Sequence, residues 1–223
     1  MQNHQTPSRI HFDQQATRYD TASFGSHARK LYPLLLAQLE QLPPRRVLDV
    51  GCDTGELLRQ LRRRWPETGL SGIDLSPKML AVAREKLGPQ VPLHLGEAQE
   101  LPFPDGAFDA VLCCDSFHHY PKPDAVVQEM RRVLRPGGVC LLADPTAPPL
   151  LRQLLNVWMP RSRDGGVAPF LLSSIVRKKR PPHHQPGVSC PAFCATSGCF
   201  PRKYASLRGF HRQTDAFFLL VHF

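Results

Sequence analysis

The stretch VLDVGCDTGELL, Val47 to Leu58, runs from an apolar strand through a glycine turn into the start of a helix. RVLDV, Arg46 to Val50, is a short apolar run, and GELLRQLRRRW, Gly55 to Trp65, then puts Leu57, Leu58 and Leu61 on one helical face with arginines elsewhere. Gly51 and Gly55 permit backbone conformations and close ligand approach that a side chain would obstruct. The turn lacks the Gly-Lys-Ser/Thr of a phosphate-gripping Walker loop and is one glycine short of the dinucleotide fingerprint. Its middle residue is Asp53, a type that tolerates a left-handed backbone and whose carboxylate would repel a phosphate.

Outward from this turn the chain alternates strands and helices. GLSGIDL, Gly69 to Leu75, predicts a second strand ending at Asp74, and Ser76 with Pro77 predicts the cap and first residue of the helix MLAVAREKL. VPLHLG (Val91 to Gly96) and FDAVLCCDSF (Phe108 to Phe117) are the third and fourth strands. A helix spans Asp124 to Leu134, RPGG (Arg135 to Gly138) turns, and VCLLAD (Val139 to Asp144) is a fifth strand. YPLLLAQLEQL, Tyr32 to Leu42, is a lead-in helix. Nearly continuous apolar strands separated by amphipathic helices require a parallel sheet covered on both faces, an α/β fold. Ligands of such sheets sit beyond the carboxyl ends of the strands, here residues 49–55, 74–76, 96–99 and 113–119. Asp74 either accepts hydrogen bonds from a ribose diol or caps its own turn, although Ser76 is better placed for the cap.

Composition narrows the class. The chain has 223 residues, 42% of them hydrophobic, enough for one good core. No run approaches the roughly 18 apolar residues of a membrane span, so a soluble cytoplasmic protein is expected. Seven cysteines, several in strand-like sequence, favour reduced thiols over a disulfide framework. The net charge of +9 is unevenly spread: residues 1–159 hold 18 basic against 17 acidic side chains, and residues 160–223 hold 10 against 2. The excess therefore says nothing about the substrate of the first two thirds.

Five segments together resemble the S-adenosylmethionine-dependent methyltransferases of the seven-stranded class, in particular the small-molecule group that includes ubiquinone/menaquinone C-methyltransferases. They are FDQQATRYD, VLDVGCDTGELL, GIDLSPKMLAVAREK, GEAQELPFPDGAFDAVLCCDSFHHY and EMRRVLRPGG, in the family's order and spacing, within residues 8–155. The resemblance implies a Rossmann-like doubly wound sheet with S-adenosylmethionine as cofactor. It divides the chain into an N-terminal cap and lead-in helix (1–45), a cofactor-binding core (46–155) and an atypical segment (156–223). By resemblance, Asp49, Gly51, Asp53 and Gly55 hold the methionine part, Asp74 the ribose hydroxyls, and Leu75 and Met79 pack on the adenine. Glu97 and Ala98 stand where the family has Asp-Ala reading the adenine amino edge; the longer Glu departs from that pattern. Cys114 and Asp115 line the methyl-transfer pocket, and Phe12 and Tyr19 belong to a segment folding over the cofactor. PFPDGAFD, Pro102 to Asp109, is a turn rather than an active element.

The sulfonium is an activated methyl donor, so the protein must chiefly align the acceptor and exclude water. His118 and His119 follow the fourth strand on the ligand side and are the candidate bases; the competing reading is that they shape a helix start and line the pocket. No metal centre is expected beside them.

Between Gly165 and Arg212 the family pattern disappears into RKKRPPHHQPG and SCPAFCATSGCFPRK. Cys190, Cys194 and Cys199 with His183 and His184 offer soft ligands but lack a Cys-x2-Cys knuckle. The segment resembles translation of an altered reading frame, restored near Gln213 so that the family-like strand FFLLVHF, Phe217 to Phe223, reappears. A sheet with incomplete C-terminal strands and an impaired acceptor pocket is the expectation. Three functions follow: a small-molecule methyltransferase, the leading reading; a methyltransferase of RNA or protein, suggested by the basic segment; or a cofactor-binding isoform with little catalysis. A Rossmann-type dehydrogenase is disfavoured by the DVGCDTG turn and by GEAQELPF.

Overall fold

A strand buried at every position needs cover on both faces, and β4, Phe108–Cys114, is such a strand. In the computed structural model, which describes residues 7–41, 43–145 and 216–222, it lies at the centre of one sheet. β1 (Arg46–Val50), β2 (Gly69–Asp74), β3 (Leu93–Leu95), β4 and β5 (Leu134–Pro145) run parallel, and β6 (Ala216–His222) is antiparallel to β5. The order is β3-β2-β1-β4-β5-β6. Strand order reverses between β1 and β4, which opens a crevice at their carboxyl ends.

The two faces of the sheet read directly from residue parity, because successive strand side chains point to opposite sides. Val47, Ala110, Leu112, Leu141 and Ala143 join α2 (Ser26–Glu40), α3 (Glu56–Arg64) and α4 (Pro77–Leu87) in one core cluster. Leu48, Val50, Val111, Cys113, Cys140 and Leu142 join Val126, Met130 and Val133 of α5 (Pro123–Val133) in the other. The sheet is therefore doubly wound. Cys52, Cys113, Cys114 and Cys140 are buried free thiols, as an undisulfided core requires.

Several boundaries differ from the sequence reading. α2 begins at Ser26 and carries Pro33 inside it, because Ala28, Leu31, Tyr32, Leu35 and Leu39 form one continuous buried stripe. β3 is only three residues long, since it is the outermost strand and has a neighbour on one side. RPGG is not a turn separating α5 from the fifth strand. β5 starts at Leu134, opposite Phe108, and after a register shift Val139 stands opposite Ala110, so RPGG is an outward bulge within the strand. Gly138 suits that bulge, where a Cβ would stand 2.9 Å from the Arg135 carbonyl oxygen and 3.0 Å from that of Asp109.

The expected last strand is present as β6, in register with Leu219 opposite Leu142. The expectations for residues 156–215, an atypical segment and an incomplete sheet, lie outside the described residues. An N-terminal helix, α1 (Pro7–Gln15), packs on α4 and forms the upper wall of the crevice.

Candidate active site

At the carboxyl ends of β1, β2 and β4 lies a cavity of about 370 Å³, a volume suited to a small-molecule ligand. Its wall takes Gly51 and Asp53 from the first turn, Asp74, Leu75 and Ser76 from the second, and Glu97, Ala98 and Gln99 from the third. Asp115, Ser116, His119 and Tyr120 follow β4, and Ser8, Arg9 and Phe12 come from α1.

The first two turns are tied together by Asp74. One carboxylate oxygen accepts the Ser76 amide at 2.8 Å and the other accepts the Asp53 amide at 2.9 Å. Ser76 is indeed the cap of α4, accepting the Met79 amide at 3.0 Å. Its hydroxyl donates to Asp13 at 2.6 Å, which fastens α1 to the rim. Among the described residues the non-glycine positions with positive φ are Asp53 (48°) and Asp115 (54°), and both line the cavity. Backbone strain of this kind persists where surrounding structure imposes it, commonly at binding sites.

Gly51 is required by proximity as well as by conformation. Its φ is 73°, and a Cβ would lie 2.5 Å from the Ser116 hydroxyl oxygen and 2.8 Å from that of Tyr120. Ser116 in turn donates to the Val50 carbonyl at 3.2 Å and bonds the Tyr120 hydroxyl at 3.1 Å. Gly55 is needed for another reason. At φ 72° it begins α3, and a Cβ there would strike Leu87 at 2.7 Å.

Carboxyl groups dominate the strand side of the cavity, and Arg9 stands on the α1 side. Asp49 is 2% exposed and its Oδ1 has no hydrogen-bond partner. Burial, then the neighbouring Asp74, pushes its carboxyl well above the ordinary range. Asp53 is pushed up by burial and by Asp74, Asp49 and Asp115, against the Tyr19 hydroxyl bonded to it. Asp74 rises to about 6 through burial, with its backbone amide bonds pulling the other way. Buried carboxylates with amide and hydroxyl partners rather than cationic ones favour a positively charged ligand.

Of the residues singled out in the sequence, Phe12, Gly51, Asp53, Asp74, Leu75, Glu97, Ala98, Asp115 and His119 meet on this wall. Asp49, Gly55 and Cys114 are buried behind it. Tyr19 and Met79 form a small cluster with Ala16, against which Phe12 packs. His118 turns away from the cavity, its Nδ1 3.1 Å from Oδ1 of Asp144. His119 instead meets the Phe12 ring edge-on at 5.0 Å between centroids.

Sequence reasoning missed Ser8, Arg9, Tyr120 and Asp144, and placed Gln99 and Ser116 only within the stretches 96–99 and 113–119 at the strand ends. Asp144 is the last residue but one of β5, and looking at the carboxyl end of each strand would have found it had the fifth strand been included. Ser116 and Tyr120 lie in the stretch around the two histidines. Ser8 and Arg9 reach the wall only because α1 docks there, which no local pattern announces.

Residues 47–138 match the family described as a methyltransferase domain. The chain is 37% identical over 145 residues to demethylmenaquinone methyltransferase of Thermus thermophilus, covering 62% of this chain and 66% of the relative. It is 31% identical over 164 residues to the enzyme of that name from Thermotoga maritima, covering 67% and 69%. It thus spans about two thirds of the length of these relatives. The crystal structure of the YcgJ protein from Bacillus subtilis superposes with a TM-score of 0.52 at 31% identity, covering 59% of this chain and 58% of that one. A matching methyltransferase domain, similarity through two thirds of a relative and the same doubly wound sheet agree, and the chain belongs to the S-adenosylmethionine-dependent methyltransferases.

Proposed function

We propose that this chain binds S-adenosylmethionine in the crevice between β1 and β4 and transfers its methyl group to a small-molecule acceptor. The observation that carries the reading is the concentration of carboxylates around a neutral glycine cradle, with Asp49 Oδ1 buried and unpartnered. A ligand bearing a sulfonium and an α-ammonium suits that field, whereas a pyrophosphate does not. The residues fit the cofactor in chemistry: Asp49, Gly51 and the backbone of Asp53 for the methionine end, Asp74 for the ribose. Glu97, Ala98 and Gln99 serve the adenine edge, and Gln99 Oε1 is a buried acceptor with no hydrogen-bond partner.

When bound, the cofactor supplies an electrophilic methyl group. The chain's own residues then orient and shield. Phe12 and the α1 rim exclude water, a condition under which electrostatic contacts strengthen. Tyr19 holds Asp53, and the amides of Asp53 and Ser76 hold Asp74, so the binding groups are fixed before the ligand arrives. His119, on the cavity wall, takes the proton of a protic acceptor, while His118 is held by Asp144. The relatives named for demethylmenaquinone support a cyclic hydroquinone as the first acceptor to try.

Calorimetry with S-adenosylhomocysteine tests the binding half: one site per folded chain is expected, and none would sink the reading. Methyl transfer from labelled cofactor to demethylmenaquinol tests the second half. Binding without transfer to any small acceptor would favour a cofactor-binding chain with little catalysis.

A further inference from the structure

The helix α4 has two working faces. Leu80, Ala83 and Leu87 enter the core, while Met79, Val82 and Lys86 lie along a second stripe at helical spacing. Met79 packs with Ala16 and Tyr19 of the N-terminal segment 7–25, and Phe12 and Val82 lie against them. That segment is tied to α4 at both ends. Asp13 accepts the hydroxyl of Ser76, the N-cap, and Asp20 accepts Lys86 Nζ in the last turn at 2.7 Å.

The second tie reaches the cavity turn. The other carboxylate oxygen of Asp20 accepts the Thr54 hydroxyl at 2.6 Å, and Thr54 is 1% exposed between Asp53 and Gly55. Lys86 also donates to Thr54 Oγ1 at 3.2 Å and stands 3.5 Å from Glu56, the first residue of α3. One ammonium with three donors thus joins the N-terminal segment, the first turn, α3 and α4. We propose that Lys86 is a positioning residue for cofactor binding, a latch that holds the N-terminal segment onto the Asp53–Gly55 turn. It keeps in place the turn backbone and the Phe12 wall that the ligand meets. This inference rests on the cofactor site proposed above.

The charges make the latch depend on Lys86. The carboxylates of Asp20 and Glu56 both lie within 3.5 Å of its ammonium, and Arg59 is already engaged by both oxygens of Glu56. Without Lys86 the two carboxylates repel each other, and Asp20, at the more exposed end of the group, moves outward with its segment. The segment stays attached elsewhere, because Arg29 of α2 donates to the carbonyls of Tyr19 and Ala22 at 3.2 and 3.0 Å. Loss of the latch therefore loosens the segment without detaching it.

Calorimetry of S-adenosylhomocysteine and S-adenosylmethionine on the full chain is the test, with hydrogen exchange measured on the ligand-free protein. Lys86→Met keeps the apolar stem and removes the charge; it should weaken both ligands by about ten-fold. Charge alone predicts the reverse, since removing a cation near these carboxylates tightens a sulfonium. Asp20→Asn should weaken binding similarly, and the double variant should be no worse than the weaker-binding single one, because both break one tie. Arg63→Met removes an exposed cation from α3 and should change nothing. Exchange in Lys86→Met should quicken at residues 16–22 and 52–56 and stay as in the wild type at β4. Circular dichroism checks folding, and where Lys86→Met is unfolded, Asp20→Asn decides. A wild-type chain that binds neither ligand sinks the cofactor reading and this inference with it. If the wild type binds and the folded variants bind equally well, or exchange at residues 16–22 is unmoved, the latch alone is overturned.

Discussion

Asp53 and Gly51 sit two residues apart in one turn and are constrained for different reasons. At Asp53 what matters is the backbone: its amide donates to Asp74 and its φ is 48°, both of which a glycine reproduces. Asp53→Gly should therefore leave S-adenosylhomocysteine affinity within a few-fold, and a loss of binding by calorimetry would show that the carboxylate itself is needed. At Gly51 what matters is space. Gly51→Ala would press a methyl group into Ser116 and Tyr120 and impose positive φ on a Cβ-bearing residue, costing about 1–2 kcal/mol of stability. Chemical denaturation measures that loss directly. Asp74 supplies a pH dependence. Its pKa of about 6 in the fold exceeds the ordinary 3.8, so the folded chain holds this proton more tightly than the unfolded one. The contribution to stability is thus present at low pH and declines as pH rises from about 3.8 to about 6. Ligand affinity should move the opposite way, strengthening as Asp74 ionises around pH 6, and Asp74→Asn should flatten that profile.

Elements are held by their ends as much as by their faces. α3 starts at a left-handed glycine and has no side-chain cap; Glu56 in its first turn faces the positive end of the helix dipole. Burial would raise the Glu56 carboxyl, but hydrogen bonds from Arg59 and Gln60 prevail and hold it down at about 2. A depressed carboxylate stabilises above its unfolded pKa and ceases to do so as pH falls through its folded one. Stability should fall between about pH 4.5 and pH 2, and Glu56→Gln should remove this part of the acid sensitivity. Acid titration followed by circular dichroism measures it; an unchanged profile would show the Arg59 contact to be inert. α4 was fully legible, because its cap, first-turn proline and apolar spacing all belong to one local segment. The start of α2 was not. Pro33 reads as a boundary, and only the packing of Ala28 and Leu31 into the core extends the helix past it.

At the scale of the molecule, β6 ends the sheet of described strands. β6 pairs with β5, and neighbouring residues of an antiparallel strand alternate in the side to which their amides point. Of Leu219→Pro and Leu220→Pro, one removes a bond to β5 and the other an amide facing away from it. If β6 is an edge, as it is in the order of the described strands, one variant should be destabilised by about 2–3 kcal/mol and the other much less. Equal and large losses in thermal unfolding would reveal a further strand beyond β6. The strand–helix alternation, the turn at Gly51 and the cap at Ser76 were legible in the sequence alone, since each depends on residues near one another in the chain. Tertiary structure decided which histidine faces the cavity, brought α1 over it and set Asp144 against His118 across 26 positions. Those outcomes depend on strand register and helix docking, which act between segments that local periodicity cannot relate.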